Sequence, residues 1–225
     1  MPAQPSSPQS FLGGLSPDEV DELVRQGKRR RYQRGAFLCT EGEMSRWLLL
    51  LISGRVKITS LLEDGSEVLL DIRGPGALIG ELEATDGKPR PASVSALEPV
   101  EAIVIAHEMF AEFIRTHQSA LLLLLELLCE RRREAERRLI EFSALDATKR
   151  VVTRLVELAD SHGSPAESGI SISLALTQDE LAAWACVSRE ATSKALGQLR
   201  RRGWIDTGRR SLTIRNVDAL RGLTA

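Results

Sequence analysis

The sequence predicts an α+β protein in three parts: an N-terminal β-roll (jelly roll), a long helix, and a C-terminal winged helix-turn-helix. Three observations carry that prediction. Between Tyr32 and Ile105, the turn signals Arg34-Gly35, Glu41-Gly42, Ser53-Gly54, Asp64-Gly65 and Gly74-Pro75-Gly76 recur at the spacing of short strands. From about Glu108 to Phe142, apolar residues keep a seven-residue repeat. From Thr177 to Leu196, two short helical patterns meet at a sharp turn, and a basic hairpin pattern follows. The expected boundaries are a disordered tail over 1–10, the β-roll over 11–106, a dimerisation helix over 107–142 and the winged helix-turn-helix over 143–225.

Composition sets the frame. The chain has 225 residues, enough for one small domain and a smaller second one. Net charge is -1, so a nucleic-acid surface has to be a local patch. Hydrophobic residues at 43% and charged residues at 27% are ordinary for a soluble globular protein. No apolar run spans a bilayer: Leu121 to Leu128 is too short and contains Glu126. With no basic-then-apolar start, the expected compartment is the cytoplasm. Cys39, Cys129 and Cys186 are scattered, and are expected to be reduced and packed rather than clustered around a metal. His107, His117 and His162 have no metal or nucleophile constellation around them, which argues against an enzyme.

The elements follow in order. The first ten residues are rich in Pro, Ser and Gln. Ser16 is placed to cap a helix with Pro17 at its first position, and Val20, Leu23 and Val24 give that helix an apolar face ending near Gly27. The basic run Lys28 to Arg31 reads as a solvated linker. Leu48–Ile52, Val56–Leu61 and Glu67–Ile72 are strand-like, and Asp64-Gly65 is a hairpin signal.

In the long helix, Ile114, Leu121, Leu128, Ala135 and Phe142 form one row and Leu125, Arg132 and Leu139 the companion row. This is the seam of a parallel homodimer, the alternative being a helix buried within a monomer. At about 1.5 Å per residue it would span on the order of 50 Å. Arg132 is the anomaly in the seam, and needs Glu136 or an anionic ligand to neutralise it.

In the last part, Asp146 caps a helix with the stripe Val151, Val152, Leu155, Val156 and Leu158. Ser161 to Gly169 reads as a flexible loop, and Ile170 to Leu174 as a strand. Thr177 with Glu180 is a capping box, and Leu181, Ala182 and Ala185 make a small apolar face. Ser188 caps the second helix, whose Ala191, Ala195, Leu196 and Leu199 point inward. Arg189, Glu190, Ser193 and Lys194 lie outward near its start, where a recognition helix meets base edges. Arg and Lys donate to guanine, and Glu accepts from cytosine. Gly203 stops the helix, and Trp204-Ile205 and Leu212–Ile214 flank the basic turn Gly208-Arg209-Arg210, a wing that attracts phosphates. The candidate DNA contacts are therefore Thr177, Gln178, Ser188, Arg189, Glu190, Thr192, Ser193, Lys194, Arg209 and Arg210. The plainer alternative is a helical hairpin with a solvated charged face.

Ala185-Cys186-Val187-Ser188-Arg189-Glu190-Ala191-Thr192 resembles the recognition-helix motif of the Crp–Fnr family of transcription regulators. The resemblance implies base reading by Arg189, Glu190 and Lys194, and phosphate contacts by Thr177 and Ser188. Lys194 stands where the family usually has Arg. The family's N-terminal β-roll holds a cyclic nucleotide, and Gly80-Glu81-Leu82 followed by Arg90 is similar to its phosphate-binding cassette. That implies Glu81 on the ribose 2′-hydroxyl and Arg90 on the cyclic phosphate; the ligand candidates are Gly80, Glu81, Leu82, Arg90, Ala92, Arg132 and Glu136. Pro91 departs from the pattern, with neither hydroxyl nor amide to donate. Ala135 and Glu136 stand where family members that hold cAMP offer hydroxyls to adenine. The effector is thus cAMP, another cyclic nucleotide, another anion, or none. The implied partners are a second copy of the chain, a two-fold symmetric double-stranded DNA site and, for an activator, RNA polymerase. A ligand-independent DNA binder and a non-DNA-binding interaction dimer are the alternatives.

Overall fold

Residues 10–172, 174, 176–208 and 211–224 are described by the computed structural model. They fall into two units: residues up to Ser60 with Leu70–Glu134, and Leu61–Leu69 with Ala135–Ala225. Residues 1–9 of the expected tail and the wing residues Arg209 and Arg210 lie outside the described residues.

The first unit opens with a turn of 3₁₀ helix (Leu12–Gly14) and α1 (Pro17–Gln26). Ser16 and Glu19 complete a capping box at the start of α1, satisfying two orphan amides locally. The β-roll follows with β1 (Lys28–Tyr32), β2 (Phe37–Cys39), β3 (Trp47–Ser53), β4 (Val56–Leu61), β5 (Glu67–Arg73), β6 (Leu78–Ile79), α2 (Glu81–Asp86), β7 (Ser93–Ala96) and β8 (Val100–Ala106). Two antiparallel sheets result, in the orders β1-β8-β3-β6 and β2-β7-β4-β5. Strand β3 shows why the run Leu48 to Leu51 is apolar throughout. Successive side chains face opposite ways, so Leu49 and Leu51 join the core between the sheets. Leu48 and Leu50 join a second core with Phe11, Leu23, Phe110 and Phe113. Both faces are covered, so neither admits a polar residue.

The basic run Lys28 to Arg31 is not a linker. It is the edge strand β1, paired with β8, and Arg29 and Arg31 both reach Glu101 on its neighbour, at 2.5 and 3.1 Å. Charged residues on an edge strand also discourage pairing with other chains. The helix expected from 108 to 142 is two helices, α3 (His107–Thr116) and α4 (Gln118–Ala144). His117 breaks it in an extended conformation (φ -119, ψ 94), its ring stacked on Phe113 and its Nδ1 at 3.0 Å from the Phe113 carbonyl.

The second unit holds α5 (Ala147–His162), β9 (Gly163–Ala166), β10 (Gly169–Ile172), α6 (Gln178–Ala185), α7 (Arg189–Arg201), β11 (Ile205–Gly208), β12 (Ser211–Ile214) and α8 (Val217–Thr224). The loop expected over 161–169 is largely the β9–β10 hairpin, which extends the wing into a sheet of order β11-β12-β10-β9. Helix α8 lies beyond the elements the sequence predicts; Asn216 caps it by accepting from the Ala219 amide at 2.9 Å. An ion cluster around the buried Arg154 joins the end of α4 to α5. Arg154 bridges Glu141 and Glu157, and Arg137 reaches both of the same carboxylates. Arg138 and Arg154 also lie over the Trp184 ring, at 5.9 and 5.8 Å. No helix among the described residues is long and apolar enough to cross a membrane.

Candidate nucleic-acid interface and anion cassette

The helix-turn-helix is built by local chemistry. Thr177 caps α6, accepting from the Glu180 amide while the Glu180 carboxylate takes the Thr177 amide at 2.8 Å. The chain reverses at Cys186, which sits in the left-handed region at φ 50 with its amide returned to α6. A glycine would adopt that turn without strain, so the cysteine costs about 1 kcal/mol locally. Cys186 and Cys129 are exposed, contrary to the packed environment expected of them; only Cys39 is buried. Ser188 caps α7 by accepting from the Ala191 amide at 3.1 Å.

Beyond that cap, Arg189, Glu190, Ser193 and Lys194 are all exposed on one face of α7, while Ala195, Leu196 and Leu199 are buried on the other. Arg189 is drawn toward Asp179 of α6 at 3.2 Å, a pair so open to solvent that breaking it costs little. Gln178 is exposed at the start of α6. Thr192 is placed differently: it is fully buried and its hydroxyl donates to the Ser188 carbonyl at 3.2 Å, so it packs the turn. Arg200, Arg201 and Arg202 are exposed at the far end of α7, and Arg202 stacks on Trp204 at 4.8 Å.

The cassette lies at the start of α2. Gly80 is left-handed (φ 93), and a Cβ there would run into the Arg90 guanidinium. Glu81 is buried, one oxygen held by Arg131 and 3.6 Å from Arg73, the other with no hydrogen-bond partner. Burial, and next the neighbouring Arg73 guanidinium, pull the Arg131 pKa down to about 10. Arg90 is also buried. Its Nη1 donates to Glu83 at 3.1 Å and its Nη2 to the Trp47 carbonyl at 2.6 Å. Leu82 is exposed and Ala92 buried.

Arg132 and Glu136 lie on the exposed face of α4, and the residue that meets Glu81 is Arg131. Sequence reasoning missed it, although the signal was present. Ala120, Leu124 and Leu127 are the buried stripe of α4, and position 131 continues it at helical spacing. Glu83 carries no such local signal: its partner Arg90 is seven residues on and meets it only through the fold. For a cyclic nucleotide the fit is mixed. The partnerless oxygen of Glu81 suits a hydroxyl, but an Arg90 already paired with a carboxylate and followed by Pro91 does not suit a cyclic phosphate.

Residues 29–117 match the cyclic nucleotide-binding domain model, and residues 149–223 match the Crp-like helix-turn-helix domain model. The chain belongs to the Crp–Fnr family. Within that family it is 31% identical over 207 residues to the CRP-like cAMP-activated global transcriptional regulator of Mycobacterium tuberculosis, covering 92% of each chain. It is 31% identical to the cyclic AMP receptor protein of Thermus thermophilus, covering 92% of this chain and 93% of the relative. Among solved structures, a CRP-family transcriptional regulator of Thermus thermophilus superposes with a TM-score of 0.75 at 26% identity, over 87% of this chain and 96% of that one. The c-di-GMP responsive regulator CLP of Xanthomonas campestris shares the fold, with a TM-score of 0.78 at 22% identity, covering 88% and 99% of the two chains. This Crp–Fnr protein is thus a DNA-binding transcription regulator with a β-roll of the cyclic-nucleotide type.

Proposed function

We propose that this Crp–Fnr protein acts as a homodimer that reads a two-fold symmetric DNA site through the start of α7. The observation that carries the reading is the division of α7, with Arg189, Glu190, Ser193 and Lys194 exposed together beyond the Ser188 cap and the opposite face buried. Short polar and charged side chains at a helix N-terminus are what the major groove accepts. The dimer is supported by α4, where Leu121, Leu125, Leu139 and Phe142 stay exposed along the heptad rows. Two copies of α7 would then enter successive major grooves about 34 Å apart. RNA polymerase is the further partner if the bound site lies where the protein activates.

In vitro selection from a random duplex library, followed by fluorescence anisotropy, tests this directly. The selected sequence should be an inverted repeat with half-sites one helical turn apart, bound by two chains. Replacing Arg189 with Ala should relax the preference at one position of each half-site and cost about 1–3 kcal/mol there. Selection of no sequence, or of a single half-site bound by one chain, would overturn the reading.

A further inference from the structure

The guanidinium of Arg90 has five N–H groups; the fold matches its charge internally with Glu83, although its buried Nε–H has no hydrogen-bond partner. Its side chain is 1% exposed and that of Glu83 is 5% exposed, with 3.1 Å between Nη1 and the carboxylate. The opposite fork donates to the Trp47 carbonyl, and the guanidinium lies 4.6 Å over the Trp47 ring. Gly80 closes another side, since even a methyl group there would strike the guanidinium. The Arg90 backbone is fixed too: its amide donates to the Glu43 carbonyl at 2.9 Å and its carbonyl accepts from the Gly42 amide at 2.8 Å. Pro91, the next residue, brings no N–H.

An anion approaching this arginine finds the charge already neutralised. To pair with Arg90 it must displace Glu83, which leaves a buried carboxylate without a counter-charge. Alternatively it must sit beside that carboxylate, where like charges repel. Glu83 belongs to the same short helix as Glu81 and is present at a high effective concentration, whereas a free ligand loses its translational freedom on binding.

We propose that Glu83 is a built-in counter-ion for Arg90: its carboxylate takes the place of a cyclic phosphate, so the β-roll takes no cyclic nucleotide and DNA binding proceeds without one. The last clause rests on the proposed function; the first does not.

The test is calorimetry of the full-length protein with cAMP and with cGMP at millimolar concentration, alongside DNA anisotropy with and without each nucleotide. The wild type should give no saturable heat and an unchanged DNA affinity. Glu83→Gln keeps the volume and one acceptor but removes the charge. It should gain binding by about tenfold or more, the size expected when a charge-assisted contact is released. Adding Arg90→Met to Glu83→Gln should remove that gain. If Glu83→Gln does not melt cooperatively, the double variant Glu83→Ala, Pro91→Ser replaces it. That pair opens the space and restores a hydroxyl and an amide. Saturable binding by the wild type would overturn the proposal, and so would folded Glu83 variants that stay silent. Failure to select a DNA sequence would overturn the proposed function while leaving the calorimetric arms intact.

Discussion

At the scale of single residues, burial decides what a titratable group can do. Arg90 and Glu83 are both hidden, so each fixes the other rather than serving solvent. Cys39 lies nearby and is 4% exposed. Burial pushes its thiol up to about 11, outweighing the pull of the Arg90 charge. The folded state therefore keeps a proton that the unfolded chain releases from its ordinary value of 9.0 upward. Stability supplied by the neutral thiol is complete below that value and is lost as pH rises toward 11. Cys186 is exposed in the helix-turn-helix turn and should react with a thiol reagent in the folded protein. Cys39 should react only as the chain unfolds, which a thiol count with and without denaturant reads out. Prompt labelling of Cys39 in the native state would contradict the packing around Arg90.

At the scale of elements, what the sequence disclosed was local. The cap at Ser16, the capping box of Thr177 with Glu180, and the caps at Asp146 and Ser188 all depend on residues within one helical turn. Each could be read from its own segment. What stayed hidden depends on distant partners. Lys28–Arg31 is a strand because β8 supplies a ladder and Glu101 the counter-charge. The break at His117 falls within an unbroken apolar heptad and is fixed by a ring stack on Phe113. The cassette motif was legible, but the pairing of Arg90 with Glu83 was not, because neither residue type specifies its partner. The same holds for the ion cluster of α4 and α5. Arg154 is 4% exposed between Glu141 and Glu157, and burial pushes the Glu157 carboxyl up. Arg154→Met should cost about 3–5 kcal/mol in urea unfolding, because Glu157 keeps its burial and loses its main counter-charge. That loss should deepen as pH rises from acid, since the fold then holds a proton that the unfolded glutamate gives up. Adding Glu157→Leu should recover much of it. A single variant as stable as the wild type would show that the cluster holds nothing together.

At the scale of the whole molecule, the proposed dimer makes α4 the link between residue chemistry and symmetric recognition. Leu125 is 50% exposed and Leu139 is 67% exposed, in the same row as Arg132. Fully burying one leucine is worth about 1.5–3 kcal/mol, and two chains bring each position twice. Without that burial the row would leave an apolar stripe in water. The double variant Leu125→Glu, Leu139→Glu places like charges opposite each other across the axis while leaving the cores of both units untouched. It should sediment as a monomer and keep a cooperative melt. Its affinity for an inverted repeat should fall by a factor on the order of 10²–10⁴, the avidity lost when two readers are no longer linked. Its affinity for an isolated half-site should stay close to that of the wild type, because Arg189, Glu190, Ser193 and Lys194 are unchanged. Both variant and wild type should weaken steeply with salt, and the wild type more so, since twice as many phosphate contacts release counter-ions. A monomeric variant that still binds the inverted repeat as tightly as the wild type would show that α4 does not set the spacing of the two recognition helices.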